Sequence, residues 1–360
     1  MAAIWAGARS FRLFPEIFNL PLLEQLREPL GRIDRMFYPR SLTGLSKRDL
    51  EALDLQLMAD PIMMFESEIG CSGITTAVLE DCFKIQPHMA FGYSLGETSM
   101  MLAQRVFEDK SMGQVSAQVL QSPLFHERLA GAKNAVRDYW GMPQVAEDNG
   151  QDLWSNFVVV AAAEKVRAAI VPFDRVYLTQ INTANEVVIA GDPGLCQQVI
   201  DALGCQGFRA PFNYVMHCQA MASEHAELAQ MNTMPLKSNL AGHAKLYSTA
   251  TYEPMDLESQ RIGEAIATNL CNPIDLPRLV NQVYNDGARI FVEVGAGSTC
   301  GRWISTNLAG KPHMVASLNR RGTDDQVSVV QALAKLVSHR VPLDLMPLYG
   351  DVDAPEPKRV

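Results

Sequence analysis

The sequence predicts an α/β fold: a large domain built on a parallel sheet, interrupted by a small inserted ferredoxin-like subdomain. Three observations predict it. Residues 90–101, AFGYSLGETSMM, set a serine between two glycines, where a short apolar run meets a stretch that reads as helix. Residues 155–213 read as strand, helix, strand, strand, helix, strand. Beyond them strand and helix alternate again through ARIFVEVGAGS and MVASLNRR.

Taken in order, residues 21–60 read as helical, with Pro39 and Gly44 as breaks. CSGITTAVLEDCF, residues 71–83, spaces its apolar side chains for a packed helix. His88–Tyr93 reads as a short buried strand and Glu97–Phe107 as an amphipathic helix. Gly92-Tyr93-Ser94-Leu95-Gly96 therefore lies on strand–turn–helix, the setting of a nucleophile elbow in a hydrolase-like large domain. Gly92 and Gly96 are expected because a side chain would clash in so sharp a turn. Next, SNFVVVAA reads as a strand and AEKVRAAI as a helix. RVYLTQIN and EVVIAG read as two strands, parted by a turn-rich stretch at Asn182–Asn185. DPGLCQQVIDALG carries Asp192 as cap, Pro193 in its first turn and Gly204 as stop, and CQGFRAPFN is the last strand. The order βαββαβ is the split βαβ of a ferredoxin-like unit. The chain thus divides into a discontinuous large domain, residues 1–150 and 216–350, a subdomain at 155–213, and a polar tail at 351–360. A helix over residues 323–339 closes the body.

Composition narrows the function. The 360 residues carry a net charge of −9 with no Lys/Arg-rich tract, which argues against nucleic acid or an anionic membrane as partner. No run reaches the ~18–20 apolar residues of a membrane span. The opening, MAAIWAGARSFRLFPEIF, is interrupted by Arg9 and Arg12 and reads as neither signal peptide nor anchor. Seven scattered cysteines without C-x-x-C spacing fit reduced thiols of a cytoplasmic protein better than disulfides or a metal site. Gly295-Ala296-Gly297 is followed by Gly301, which misses the G-x-G-x-x-G spacing. A strand-end turn beside the site is the better reading than a nucleotide cradle.

A serine hydroxyl needs a base to take its proton at neutral pH. Of the seven histidines, His88 would lie at the far end of the strand that delivers Ser94, and His339 falls near the end of a late helix. His217, in YVMHCQAM where the chain re-enters the large domain, is the candidate base. The adjacent Cys218 is a rival nucleophile, but neighbours on a strand face opposite ways.

Together these residues resemble the malonyl-CoA:carrier-protein acyltransferase family. That family has G-H-S-x-G-E at the nucleophile, a ferredoxin-like insert, an H-S/A motif for the base and E-V-G-P-G near its end. The counterparts here are Gly92-Tyr93-Ser94-Leu95-Gly96-Glu97, residues 155–213, His217-Cys218 and Glu293-Val294-Gly295-Ala296-Gly297. YPRSL, FGYSLGETSMM, INTANEVVIAG, DLPRLVNQVYNDGARIFVEVGAG and ALAKLVSHRVPLDL look closer still to the acyltransferase subunit of bacterial polyunsaturated fatty acid synthases. The likeness spans residues 12–350.

The resemblance implies a ping-pong acyltransferase without a bound cofactor. Ser94 takes an acyl group from an acyl-CoA or phosphopantetheine thioester, and His217 shuttles the proton. The acyl group then passes to the phosphopantetheine thiol of an acyl carrier protein within a multi-enzyme synthase. The Leu95 N–H faces the oxyanion, and backbone carbonyls orient the histidine. Three departures accompany it. No F-P-G-Q-G-like loop, the family's source of a second oxyanion donor, precedes the elbow. The arginine that binds a malonyl carboxylate has its nearest candidate in Arg128, and Asn182 is the second candidate substrate-binding residue. The family's glutamine in the preceding helix has no match in FESEIGCSGITTAV. Two other functions remain open: a serine esterase or thioesterase on the same elbow, and a catalytically weak scaffold subunit of a synthase. A hydrolase would carry an H-G-G-G-type loop and an acid between serine and a late histidine. The net charge opposes docking of an acidic carrier, for which Arg302, Arg320 and Arg321 are the candidate local basic patch.

Overall fold

A computed structural model of the chain describes residues 61–108, 118–119, 122–148, 150–240, 242–320 and 323–349, with Ser46, Arg48 and Ala52. The expected helices at 21–60 lie almost wholly outside these residues, as do the tail at 351–360, the opening segment and Arg321.

Helix α1 (Pro61–Ala77) starts on a proline, which its first turn tolerates because that N–H would be unbonded anyway. It begins ten residues earlier than its apolar spacing predicts and runs on into a π-helical turn, Val78–Cys82. Strand β1 (Met89–Phe91) then leads through the elbow into α2 (Gly96–Ala103). α2 stops short of the expected Phe107, because Arg105 takes a left-handed backbone (φ +54°). A second π-helical turn, Leu124–Leu129, and α3 (Asn134–Tyr139) follow.

Residues 155–209 form β2 (Ser155–Val159), α4 (Ala163–Ile170), β3 (Val176–Thr183), β4 (Glu186–Gly191), α5 (Pro193–Leu203) and β5 (Gly207–Arg209). Asp192 caps α5 by accepting from the Leu195 N–H, Pro193 opens it, and Gly204 ends it at φ +58°. The last strand is only three exposed residues of the nine in CQGFRAPFN. Beyond a 3₁₀ turn (Gln219–Glu224) come α6 (His225–Asn232), β6 (Lys245–Tyr247), α7 (Ser259–Cys271), β7 (Ile274–Asp275) and α8 (Leu276–Asn285). β8 (Ile290–Glu293), α9 (Thr299–Asn307), β9 (Met314–Ser317) and α10 (Asp325–Ser338) complete the body.

The fold is mixed α/β, and its parallel pairing is split. β1 pairs with β6 and β8 with β9, each a two-stranded parallel ladder, so one continuous parallel sheet is not what the described strands form. The third sheet runs β5-β2-β4-β3-β7. Its first four strands are antiparallel, and β7 joins β3 in parallel. One buried cluster, with Met101, Trp154, Leu246, Ile262 and Ile266, lies under the elbow helix. Another, with Val159, Val166, Val187, Ile189 and Val199, seals α4 and α5 onto the five-stranded sheet. Full burial of each such side chain contributes about 1.5–3 kcal/mol. The elbow is therefore mounted on rigid, packed elements. Among the described residues no helix is long and apolar enough to cross a membrane.

Candidate active site

The strand–turn–helix is as sharp as the sequence implies. Ser94 sits at φ +57°, a left-handed backbone uncommon for a non-glycine residue. The Gly96 N–H donates to the Tyr93 carbonyl and the Glu97 N–H to the Ser94 carbonyl, which closes the turn. The two glycines play different parts. A Cβ on Gly92 would lie 1.9 Å from the Gly96 carbonyl carbon and oxygen. A Cβ on Gly96 would meet nothing closer than the Glu68 carboxylate at 3.9 Å. The clash expected at both glycines thus exists only at Gly92, and Gly96 supplies the backbone it would strike. Gly92→Ala is expected to force the elbow apart and to destabilise the protein by at least the ~1–3 kcal/mol of ordinary overpacking. Urea unfolding measures it; an unchanged midpoint would contradict this close approach.

Residues far apart in the sequence converge on Ser94. Its Oγ lies 2.7 Å from Nε2 of His217. The opposite nitrogen, Nδ1, is 2.7 Å from the Asn269 carbonyl oxygen, which only accepts. That contact puts the proton on Nδ1 and leaves Nε2 with its lone pair toward the serine. His217 is buried, at φ +58°, and its own N–H donates to the Leu270 carbonyl. Burial pushes its pKa down to about 4, against backbone hydrogen bonds at Asn269 and Asn272 that work upward. The ring is neutral at pH 7. No other histidine bonds Ser94 among the described residues. Cys218 is extended and buried, and burial first of all pushes its thiol up to about 12, so no thiolate competes there.

Asn269 holds both partners at once: its backbone carbonyl accepts from the His217 Nδ1–H, and its Nδ2 donates to the Ser94 carbonyl at 2.9 Å. Sequence reading missed it. The available signal was an amide on the buried face of an amphipathic helix, beside Leu270 and Cys271. Leu95 caps α2 at its N-terminus, and its N–H bonds to nothing among the described residues. Glu97, wholly buried, accepts from the Ser248 hydroxyl and from the Thr249 N–H and hydroxyl, which ties α2 to the end of β6. Burial raises its carboxyl to about 6, opposed by those bonds.

A second network joins the elbow to the β3–β4 hairpin. The Tyr93 hydroxyl donates to Oδ1 of Asn182 at 2.6 Å, and its ring lies 5.2 Å from that of Trp303. Trp303 Nε1 donates to Glu186 at 2.6 Å, and Arg302 pairs with the same carboxylate at 3.0 Å. Asn182 thus borders Ser94 through its neighbour, with its side-chain oxygen engaged. Arg128 is held by two carboxylates: Nε donates to Glu224 at 3.0 Å, one terminal nitrogen pairs with Glu224 and the other with Asp138 at 2.6 Å. The sequence names Tyr93 only as a member of the elbow motif and gives no signal for Trp303. No cluster of three or more His, Cys, Asp or Glu among the described residues is arranged to hold a metal.

Several known proteins share this arrangement of chain. The sequence is 29% identical over 329 residues to a polyunsaturated fatty acid synthase polypeptide of Thraustochytrium sp. (strain ATCC 26185 / S-3), covering 88% of this chain and 16% of that protein. The chain therefore spans about a sixth of that relative's length. Malonyl-CoA:acyl carrier protein transacylase from Helicobacter pylori superposes with a TM-score of 0.65 at 16% identity, over 88% of this chain and 90% of that one. A malonyl transacylase in complex with its type II polyketide synthase acyl-carrier protein gives 0.63 at 16% identity, over 90% and 93%. No family model matches the chain.

Proposed function

From a chain that has the fold of the malonyl-CoA:acyl-carrier-protein acyltransferases and resembles part of a polyunsaturated fatty acid synthase, we propose a Ser–His transacylase that loads a carrier protein. The observation that carries the proposal is the 2.7 Å contact of Ser94 Oγ with a His217 Nε2 whose other nitrogen is fixed on the Asn269 carbonyl.

Ser94 Oγ attacks the thioester carbonyl of an acyl-CoA or acyl-phosphopantetheine as Nε2 takes its proton. The Leu95 N–H, at the positive end of α2, receives the charge that gathers on the carbonyl oxygen. Collapse breaks the C–S bond, and the imidazolium returns its proton to the departing thiolate. The second half runs in reverse. The thiol of a carrier-protein phosphopantetheine gives its proton to Nε2, its sulfur attacks the Ser94 ester, and the proton returns to Oγ. No net redox change occurs and no cofactor is needed.

The strand order β5-β2-β4-β3 supports the reading of residues 155–213 as a ferredoxin-like subdomain, set between large-domain segments 1–150 and 216–350. The Tyr93–Asn182 bond supports the reading that it roofs the Ser94 site. A carboxylated acyl group would reach Arg128 by exchanging with Asp138, the more exposed of its two partners (37% against 6%). The proposed partners are acyl carrier proteins and the other subunits of a synthase.

The test is partition of the acyl group. Incubated with acyl-CoA and a holo carrier protein, the enzyme is expected to produce acylated carrier with little free acid. Release of free acid at the same rate with and without carrier would assign an esterase or thioesterase. Neither product, with no acyl-enzyme, would assign a scaffold.

A further inference from the structure

Away from Ser94, a cavity of ≈ 270 Å³ opens between α9, β9 and α10. Three cations line it, Arg302, Arg320 and Lys335, with Ser298, Gln331 and Ser328 among the polar groups and no Asp or Glu among the described lining residues, although the Glu293 carboxylate accepts from Ser317 and Gly301 in its wall. In a chain of net charge −9 such a lining runs against the average field. Two of the cations are only lightly engaged within the protein. One guanidinium nitrogen of Arg320 donates to Gln331 at 3.2 Å, and the Lys335 ammonium donates to the Val315 carbonyl at 3.2 Å. A guanidinium has five N–H donors and an ammonium three, so most remain for a ligand. Arg302 is the more engaged of the three, since both its terminal nitrogens donate to Glu186. The wall further holds Ser328, wholly buried, whose hydroxyl has no hydrogen-bond partner among the described residues. A buried hydroxyl in that state is costly unless something arriving in the cavity engages it.

We propose that this cavity is a binding site for a phosphoryl group. A carboxylate is satisfied by one bidentate arginine, whereas two lightly engaged cations beside a third that is paired with Glu186, together with hydroxyls and an amide, suit a tetrahedral phosphoryl group with several acceptor oxygens. The volume admits a phosphoryl group together with the atoms attached to it. The group is free phosphate, the 3′-phosphate of a coenzyme A thioester, or the phosphate that carries a pantetheine arm. The site stands whether or not Ser94 transfers acyl groups.

The test is calorimetric titration of the full chain with inorganic phosphate at low ionic strength, for wild type, Arg320→Gln/Lys335→Gln and Ser94→Ala. Saturable binding is expected in wild type and in Ser94→Ala, weakened about tenfold or more in the double variant, because two charge-assisted partners are lost. Both substituted side chains are exposed, and a circular dichroism spectrum and unfolding midpoint like wild type certify the double variant. Absence of saturable binding in wild type, or equal binding by a folded double variant, overturns the proposal. Competition assigns the source. Displacement by CoA but not dephospho-CoA names the 3′-phosphate, displacement by both and by 4′-phosphopantetheine names the pantetheine phosphate, and displacement by none leaves free phosphate.

Discussion

Ser94→Ala is expected to abolish the covalent acyl-enzyme and to lower carrier loading by several orders of magnitude. The hydroxyl is the atom that forms the bond, and nothing beside it can substitute: the Cys218 thiol, buried and held up near 12, is not a nucleophile at pH 7. The fold should survive. An alanine accepts the position, and the closed turn rests on backbone bonds from Gly96 and Glu97. Intact mass after exposure to mixed acyl-CoAs reads the result. An adduct of undiminished yield on the variant would remove Ser94 from the reaction, and its location by peptide mapping would name the true nucleophile.

His217→Ala is expected to slow acyl transfer by about 10²–10⁴-fold while leaving donor binding largely intact. Substitution of His243 or His313, neither bonded to Ser94, should change the rate little. The pH dependence adds a signature that a merely structural histidine would lack. With its pKa held down near 4, His217 is already a free base throughout the neutral range. The kcat/KM of wild type should therefore rise as pH rises through about 4 and then level, well below the 6.5 of an ordinary imidazole. Stability follows with its own sign. The folded state resists protonation of His217 between about 4 and 6.5, so this contribution is present above 6.5 and is lost as pH falls through that window. Glu97, raised from 4.5 to about 6, acts in the opposite sense, favouring the folded state below 4.5 and losing that effect as pH rises through 6. Comparing wild type with His217→Ala, in which Glu97 is common to both, isolates the histidine. An acid limb near 6.5 would contradict the depressed pKa, and a variant within twofold of wild type would contradict the role as base.

The parts of the site that were legible in the sequence are those with local chemical constraints. Gly92 and Ser94 announce the turn because only certain residues fit it, and Asp192, Pro193 and Gly204 bracket α5 for the same reason. His217 was inferred from its position at a boundary, an indirect argument that the 2.7 Å contact now supports with geometry. The rest was hidden because its meaning is tertiary. Asn269 is an ordinary helix residue until the chain brings it under both Ser94 and His217. Tyr93 carries no role in the sequence beyond its place in the elbow motif and Trp303 none, and only their shared contact with the Asn182–Glu186 hairpin gives them a task. Periodicity placed α2 correctly but overran its end, since a left-handed residue such as Arg105 has no strong signal outside glycine. The parallel sheet was inferred from alternation, which counts strands without saying which of them bond.

Ser94 and His217 share a peculiarity beyond their contact: each holds a backbone turned to the left-handed side, at φ +57° and +58°. Each would be relieved of strain by becoming glycine, of order 1 kcal/mol apiece, and neither can do so and keep its side chain. The pair is thus a small reserve of conformational energy stored at the point of reaction and carried by the packed helices around it. At Ser94 a glycine would release that strain and silence the site in one step, whereas at His217 it would also empty the space of a buried imidazole and leave the Asn269 carbonyl unpaired. Robustness and competence therefore pull in opposite directions at Ser94 and together at His217.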